Sequence, residues 1–87
     1  MPTVNIPSPL RSYTNSAPAV QAEGACVEEI LADLDRRFPG IRFRMIDEQG
    51  RIRQHIRIFV NTSGVTDLST KVAQSDVVHL ICALSGG

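Results

Sequence analysis

VVHLICALSGG, residues 77–87, decides how this chain is read. Val78 and Leu80 alternate with Val77, His79 and Ile81, the period of a strand with one face turned to a core. The apolar run ends at Leu84, and Ser85, Gly86 and Gly87 follow it. A side chain beside a terminal carboxylate crowds any channel that must reach it, whereas two residues without Cβ thread a narrow slot in almost any backbone conformation. Extended, the five residues from Ala83 to Gly87 reach about 15–18 Å at roughly 3.3–3.6 Å per residue. We therefore expect a folded domain over residues 1–84 and a flexible tail over 85–87, built to enter another protein's active site. The competing reading is an incidental glycine ending, which many chains carry.

Working back from that strand, His55 to Val60 alternates as cleanly, with Ile56, Ile58 and Val60 on one side and Arg57 and Phe59 on the other. Asn61–Gly64 reads as a turn. Residues 68–74 have the composition of a short helical turn, and Ser75-Asp76 opens the last strand. Between Val27 and Phe38 the period changes. Val27, Ile30, Leu31, Leu34 and Phe38 recur at three and four and form one apolar stripe. Glu28, Glu29 and Asp33 stand toward its start and Arg36 and Arg37 at its end, the order the helix dipole favours. Pro39 stops the helix, because a proline disfavours helical geometry in the residue before it. Cys26 stands where a capping Ser or Thr is usual, leaving only Glu29 of a capping box, so a frayed first turn is expected. Ile41, Phe43 and Ile46 fit either a helical turn or an irregular strand, and Asp47–Gly50 a turn. At the other end, Val4 and Ile6 share a strand face before Pro7 and Pro9 break it. Tyr13–Pro18 is loop-like, and Val20–Ala22 returns as a second strand.

Strand, strand, helix, strand, strand implies a mixed sheet with one main helix across one face, an α+β roll. If the first and last strands run parallel in its middle, the fold is a β-grasp, the ubiquitin-like roll. Eighty-seven residues make one domain, too small for a catalytic cleft between domains. Nine basic and nine acidic side chains leave no global field, which disfavours nucleic acid. No segment is long enough to span a bilayer and the N-terminus lacks a secretion signal, so no membrane partner and a cytoplasmic location are expected. Cys26 and Cys82 lack the spacing of metal or redox motifs and read as free thiols, with no metal bound.

Ile6-Pro7 with Leu10-Arg11, Phe38-Pro39-Gly40, Ile58-Phe59-Val60-Asn61, and Ser75-Asp76-Val77-Val78 running to Ser85-Gly86-Gly87 resemble the ubiquitin-like sulfur carriers of the MoaD/ThiS family. The resemblance covers nearly the whole chain. Gly40-Ile41 through Met45-Ile46-Asp47 to Val60-Asn61 looks especially like the CysO type. It implies a sulfur carrier protein with no intrinsic catalytic residues, whose Gly87 carboxyl is adenylated by an E1-like enzyme using ATP. A sulfur donor then displaces AMP to leave a thiocarboxylate. Gly86, Ser85 and Leu84 are implied as the recognised tail. In the CysO type the acceptor is a PLP-dependent synthase in cysteine or related sulfur-metabolite synthesis, and a JAMM-type metalloprotease releases the product. The alternatives are the small subunit of molybdopterin synthase and a ubiquitin-like protein modifier.

The residues themselves agree that activation comes from outside, since no P-loop spacing is present and no nucleophile, base and oxyanion set is evident. Phe59 and Ile81, opposite the buried sides of their strands, form a candidate partner-binding patch; ordinary surface packing or a dimer contact fits them equally. Cys82 and Ser85 stand where relatives of this type carry proline and alanine. Arg36, Arg37, Arg42, Arg44, Arg51, Arg53 and Arg57 gather the positive charge in mid-chain. They either steer toward an acidic partner or form a solvated face paired with Asp47 and Glu48.

Overall fold

A computed structural model describes residues 1–83 of the chain. Five strands form one sheet: β1 (Thr3–Asn5), β2 (Ala19–Gln21), β3 (Ile56–Val60), β4 (Ser63–Gly64) and β5 (Val77–Cys82), in the spatial order β2-β1-β5-β3-β4. β1 and β5 are parallel, Val4 opposite Val78, and the other pairs are antiparallel. Helix α1 (Val27–Arg37) supplies the crossover that a parallel pair needs. This topology is the β-grasp, as expected from the order of elements. The fourth strand, expected only as a turn, is a two-residue return that pairs Phe59 with Gly64 and Val60 with Ser63. Asn61 closes that turn in left-handed geometry at φ 55°, a conformation asparagine tolerates better than most residues.

One face of the sheet packs on α1. Val4, Ile58, Val78 and Leu80 from the strands meet Val27, Ile30, Leu31 and Leu34 from the helix, all buried. The apolar stripe read from the sequence is thus the helix's core face, and Phe38 closes it as the C-cap, half-buried against the same cluster.

The first turn of α1 is not frayed. Cys26 makes no side-chain cap. Instead, the carbonyls of Thr70 and Leu68 accept hydrogen bonds from the N–H groups of Val27 (3.0 Å) and Glu28 (2.9 Å). These are two of the donors that a helix start leaves without partners. The same loop explains why no helix forms over 68–74. Asp67 and Ser69 build a side-chain turn, and Lys71 bridges to Cys26. One turn does close, the Thr70 N–H donating to the Asp67 carbonyl at 3.0 Å, but the carbonyls of Leu68 and Thr70 serve α1 and no helix follows.

Ile41–Met45 settles as a short helix, α2, with Ile41 and Met45 buried one turn apart and Phe43 turned outward. Its entry is at Gly40, φ 97°, a left-handed geometry that suits glycine. The Asp35 carboxylate accepts from the N–H groups of Gly40 (3.1 Å) and Arg42 (3.2 Å), tying α2 to the end of α1. Arg42 then reaches back with a two-pronged contact to Glu28 at 3.0 and 2.8 Å. Glu28 is the chief reason the Arg42 guanidinium holds its proton more tightly than usual.

Candidate functional site

The site is built around the C-terminal end of β5. This strand is the central one of the five, paired with β1 on one side and β3 on the other. Pairing with β3 runs from Val78 opposite Val60 to Cys82 opposite Ile56. The last described link is the N–H of Ala83, which donates to the His55 carbonyl at 2.7 Å. The backbone is therefore held in register up to that point. Leu84, Ser85, Gly86 and Gly87, the residues expected to form the recognised and reactive tail, lie outside the described residues.

The face of the sheet away from α1 carries the side chains that alternate with the core. Phe59 and Ile81 lie on it diagonally across β3 and β5, since Phe59 is opposite His79 and Ile81 is opposite Arg57. Ile81 is 43% exposed. Phe59 is half-buried, with its ring 3.7 Å from where a Cβ on Gly64 would stand, an ordinary contact distance that places the ring beside β4. The two apolar residues share a face, as expected, but a histidine and an arginine interleave them. His79 is tied down by Asn5, whose side-chain amide lies 3.0 Å from its Nδ1.

Cys82 is half-buried, and burial pushes its thiol up, opposed in part by the positive charge of Arg44. A raised thiol is a poor nucleophile at neutral pH. Among the described residues, no group of three or more His, Cys, Asp or Glu is placed to hold a metal ion. No helix in that span is long and apolar enough to cross a membrane.

The mid-chain arginines do not act as one group. Arg36 and Arg37 pair with Asp33, Arg42 with Glu28 and Arg51 with Asp47. Among the described residues Glu48 makes no ion pair, and Arg44, Arg53 and Arg57 pair with no carboxylate. Arg53 instead lies over the Phe43 ring, 4.6 Å from its centroid, a contact no sequence pattern announces. The available signal was the spacing of four between Ile41 and Met45, which turns Phe43 outward.

Comparison with known proteins then fixes the lineage. The model of the ThiS family matches residues 4–87, nearly the whole chain. The chain belongs to the ThiS family. The sulfur carrier protein CysO of Mycobacterium tuberculosis is 32% identical to it over 90 residues, spanning 98% of this chain and 97% of that one. Its fold is similar to a chain in the crystal structure of the Amycolatopsis orientalis BexX/CysO complex, at 33% identity and a TM-score of 0.92, each chain covered in full. The crystal structure of Mycobacterium tuberculosis CysO superposes with a TM-score of 0.91 at 30% identity, over 97% of this chain and 100% of that one. The family match includes Gly86 and Gly87.

Proposed function

We propose that this chain is a sulfur carrier protein for cysteine or related sulfur-metabolite synthesis, bearing sulfur as a thiocarboxylate on Gly87. The observation that carries this reading is the similarity to CysO, which runs the length of both chains. A carboxylate is a poor electrophile until a good leaving group replaces its charged oxygen. In the proposed cycle an E1-like enzyme joins the Gly87 carboxylate to the AMP portion of ATP and releases pyrophosphate. A sulfide-level donor then attacks the carbonyl carbon, and AMP departs. The body contributes no catalytic group. Its part is to hold β5 rigid to Ala83, so that orientation at the partner surface fixes where the last residues enter.

A sulfur-accepting enzyme is the second partner. Support comes from the relative in the BexX/CysO complex. In our reading the acceptor is a PLP-dependent synthase, a JAMM-type metalloprotease releases the finished product, and the cycle runs in the cytoplasm where ATP is at hand. Leu84, Ser85 and Gly86 form the segment recognised in the enzyme channel. Phe59 and Ile81 contribute apolar contact beside it.

The test is intact-mass measurement after incubation with the cognate adenylating enzyme, ATP and a sulfur donor. One oxygen is expected to be replaced by sulfur. Deleting Gly87 is expected to abolish the exchange and leave thermal unfolding unchanged. A full-length chain that stays unmodified while the same enzyme loads a control carrier ends this reading.

A further inference from the structure

Where β5 ends, basic and aromatic side chains share a continuous surface. Phe43, Arg44, Arg53 and His55 line one shallow depression. His55 and Arg57 line the next, together with Ala83. His55 belongs to both and joins them. Phe43 is 55% exposed, the most exposed large apolar side chain among the described residues. Arg53 is held against it twice, by its guanidinium over the ring and by its Nε donating to the Phe43 carbonyl at 2.7 Å. Arg57 is braced by the carbonyls of Gln54 (2.7 Å) and Ile56 (3.0 Å). These contacts are made to neutral oxygens and a ring, and among the described residues no carboxylate pairs with Arg44, Arg53 or Arg57. The chain's total charge is zero, yet Asp33, Glu28 and Asp47 are committed to other arginines.

We propose that this surface is a docking site for an acidic segment of the adenylating enzyme that takes up Gly87, one bearing Asp or Glu side chains next to an apolar residue. Three observations select that occupant. Guanidinium groups already ordered by the fold match carboxylates in a two-pronged geometry at reduced entropic cost. An exposed phenylalanine beside Arg44 and Arg53 favours a peptide over a free anion, which uses the charge and leaves the ring wet. The surface also adjoins the start of the proposed tail, since the His55 carbonyl holds the Ala83 N–H. Four residues separate Ala83 from the reactive carboxyl, a span of at most about 13–14 Å. An enzyme that closes on Gly87 therefore meets this rim. The identity of the partner rests on the sulfur-carrier reading; recognition of acidic protein does not.

The test has two arms. In the first, the isotope-labelled full chain is titrated with poly-L-glutamate and, separately, with inorganic phosphate at matched charge, and amide shifts are followed by NMR. Shifts from polyglutamate are expected to cluster at Phe43, Arg44, Arg53, His55, Arg57 and Ala83, to exceed those from phosphate, and to fade as salt rises. Arg44→Glu, an exposed change, is expected to weaken polyglutamate binding about fivefold, the scale of losing a rim charge in an electrostatic contact. Arg36→Glu is expected to leave it unchanged. Shifts centred on Arg36 and Arg37, shifts spread evenly, or phosphate binding as well as polyglutamate would overturn the proposal. In the second arm the cognate adenylating enzyme is assayed: Arg44→Glu is expected to raise KM about fivefold at unchanged kcat. An unchanged KM overturns the docking role. A chain that is never loaded overturns the sulfur-carrier reading instead, and polyglutamate still decides the acidic site.

Discussion

The two faces of β5 divide the molecule's tasks. On the inner face Val78 and Leu80 are buried against α1 and its neighbours; on the outer face Val77 and His79 are half-buried and Ile81 is open. Both faces share one backbone, held by the same ladders to β1 and β3. Stability therefore follows the inner side chains through apolar burial, while the outer ones are left to a partner. In such an arrangement, recognition can vary without cost to the fold, because successive side chains of one strand never share a face.

The largest effect that separates the faces is expected from Leu80→Ala. Removing a buried leucine side chain costs about 2–5 kcal/mol, a large share of the roughly 5–15 kcal/mol that holds an ordinary domain together. Urea unfolding should show the midpoint falling at an unchanged slope. Phe59→Ala comes next, at about 1–2 kcal/mol, because its ring is only half-buried and covers Gly64 rather than filling the core. If Phe59→Ala costs as much as Leu80→Ala, the outer face is part of the core and the division fails.

How much of this was legible in the sequence follows from the range of each interaction. Helix α1 and strands β3 and β5 were readable because their apolar residues recur at one period along the local chain. Ile41–Met45 was not, since Ile41 and Phe43 fit a period of two while Ile41 and Met45 fit a helical turn. Residues 68–74 misled for a different reason. Their carbonyls serve the start of α1, some forty residues earlier, and that service is invisible locally. The outer positions of Phe59 and Ile81 followed from alternation alone. The Arg53 stack on Phe43 and the Asn5 contact with His79 did not, because they join residues 10 and 74 positions apart.

A smaller effect, present at neutral pH and lost in acid, tests the start of β5. Asp76 accepts hydrogen bonds from the Ala73 N–H (2.8 Å) and the Asn61 side-chain amide (3.0 Å). The Ala73 bond first, then the Asn61 bond, hold its carboxyl below the usual carboxylate range. A depressed folded pKa adds stability that is fully present above the unfolded value, about 3.9, and is lost as pH falls through the lower folded value. Asp33, Asp47 and Asp67 are depressed in the same direction by their own backbone partners. Asp76→Asn is thus expected to lower Tm at neutral pH and to converge on the unsubstituted chain below about pH 4. Leu80→Ala should show a gap that ignores pH. A pH-independent gap for Asp76→Asn would mean that shape rather than charge holds the strand's entrance.

The smallest effect on stability, and the sharpest on recognition, is expected at Ile81. At 43% exposure its side chain has little burial to lose, so Ile81→Ser should leave unfolding within about 0.5 kcal/mol of the unsubstituted chain. A partner that covers the outer face would lose apolar contact at that position, and KM for loading should rise about threefold while kcat stays unchanged. Neighbouring Leu80→Ala supplies the opposite pattern: assayed well below its unfolding temperature, it should load with normal KM despite its lost stability. The two substitutions sit on adjacent residues of one strand, so any effect transmitted through the backbone would reach both measurements in both variants. Crossed results, with Ile81→Ser altering only KM and Leu80→Ala only the urea midpoint, require that the faces act separately. Parallel losses in both would mean that the partner reads the integrity of the sheet rather than the side chains it presents.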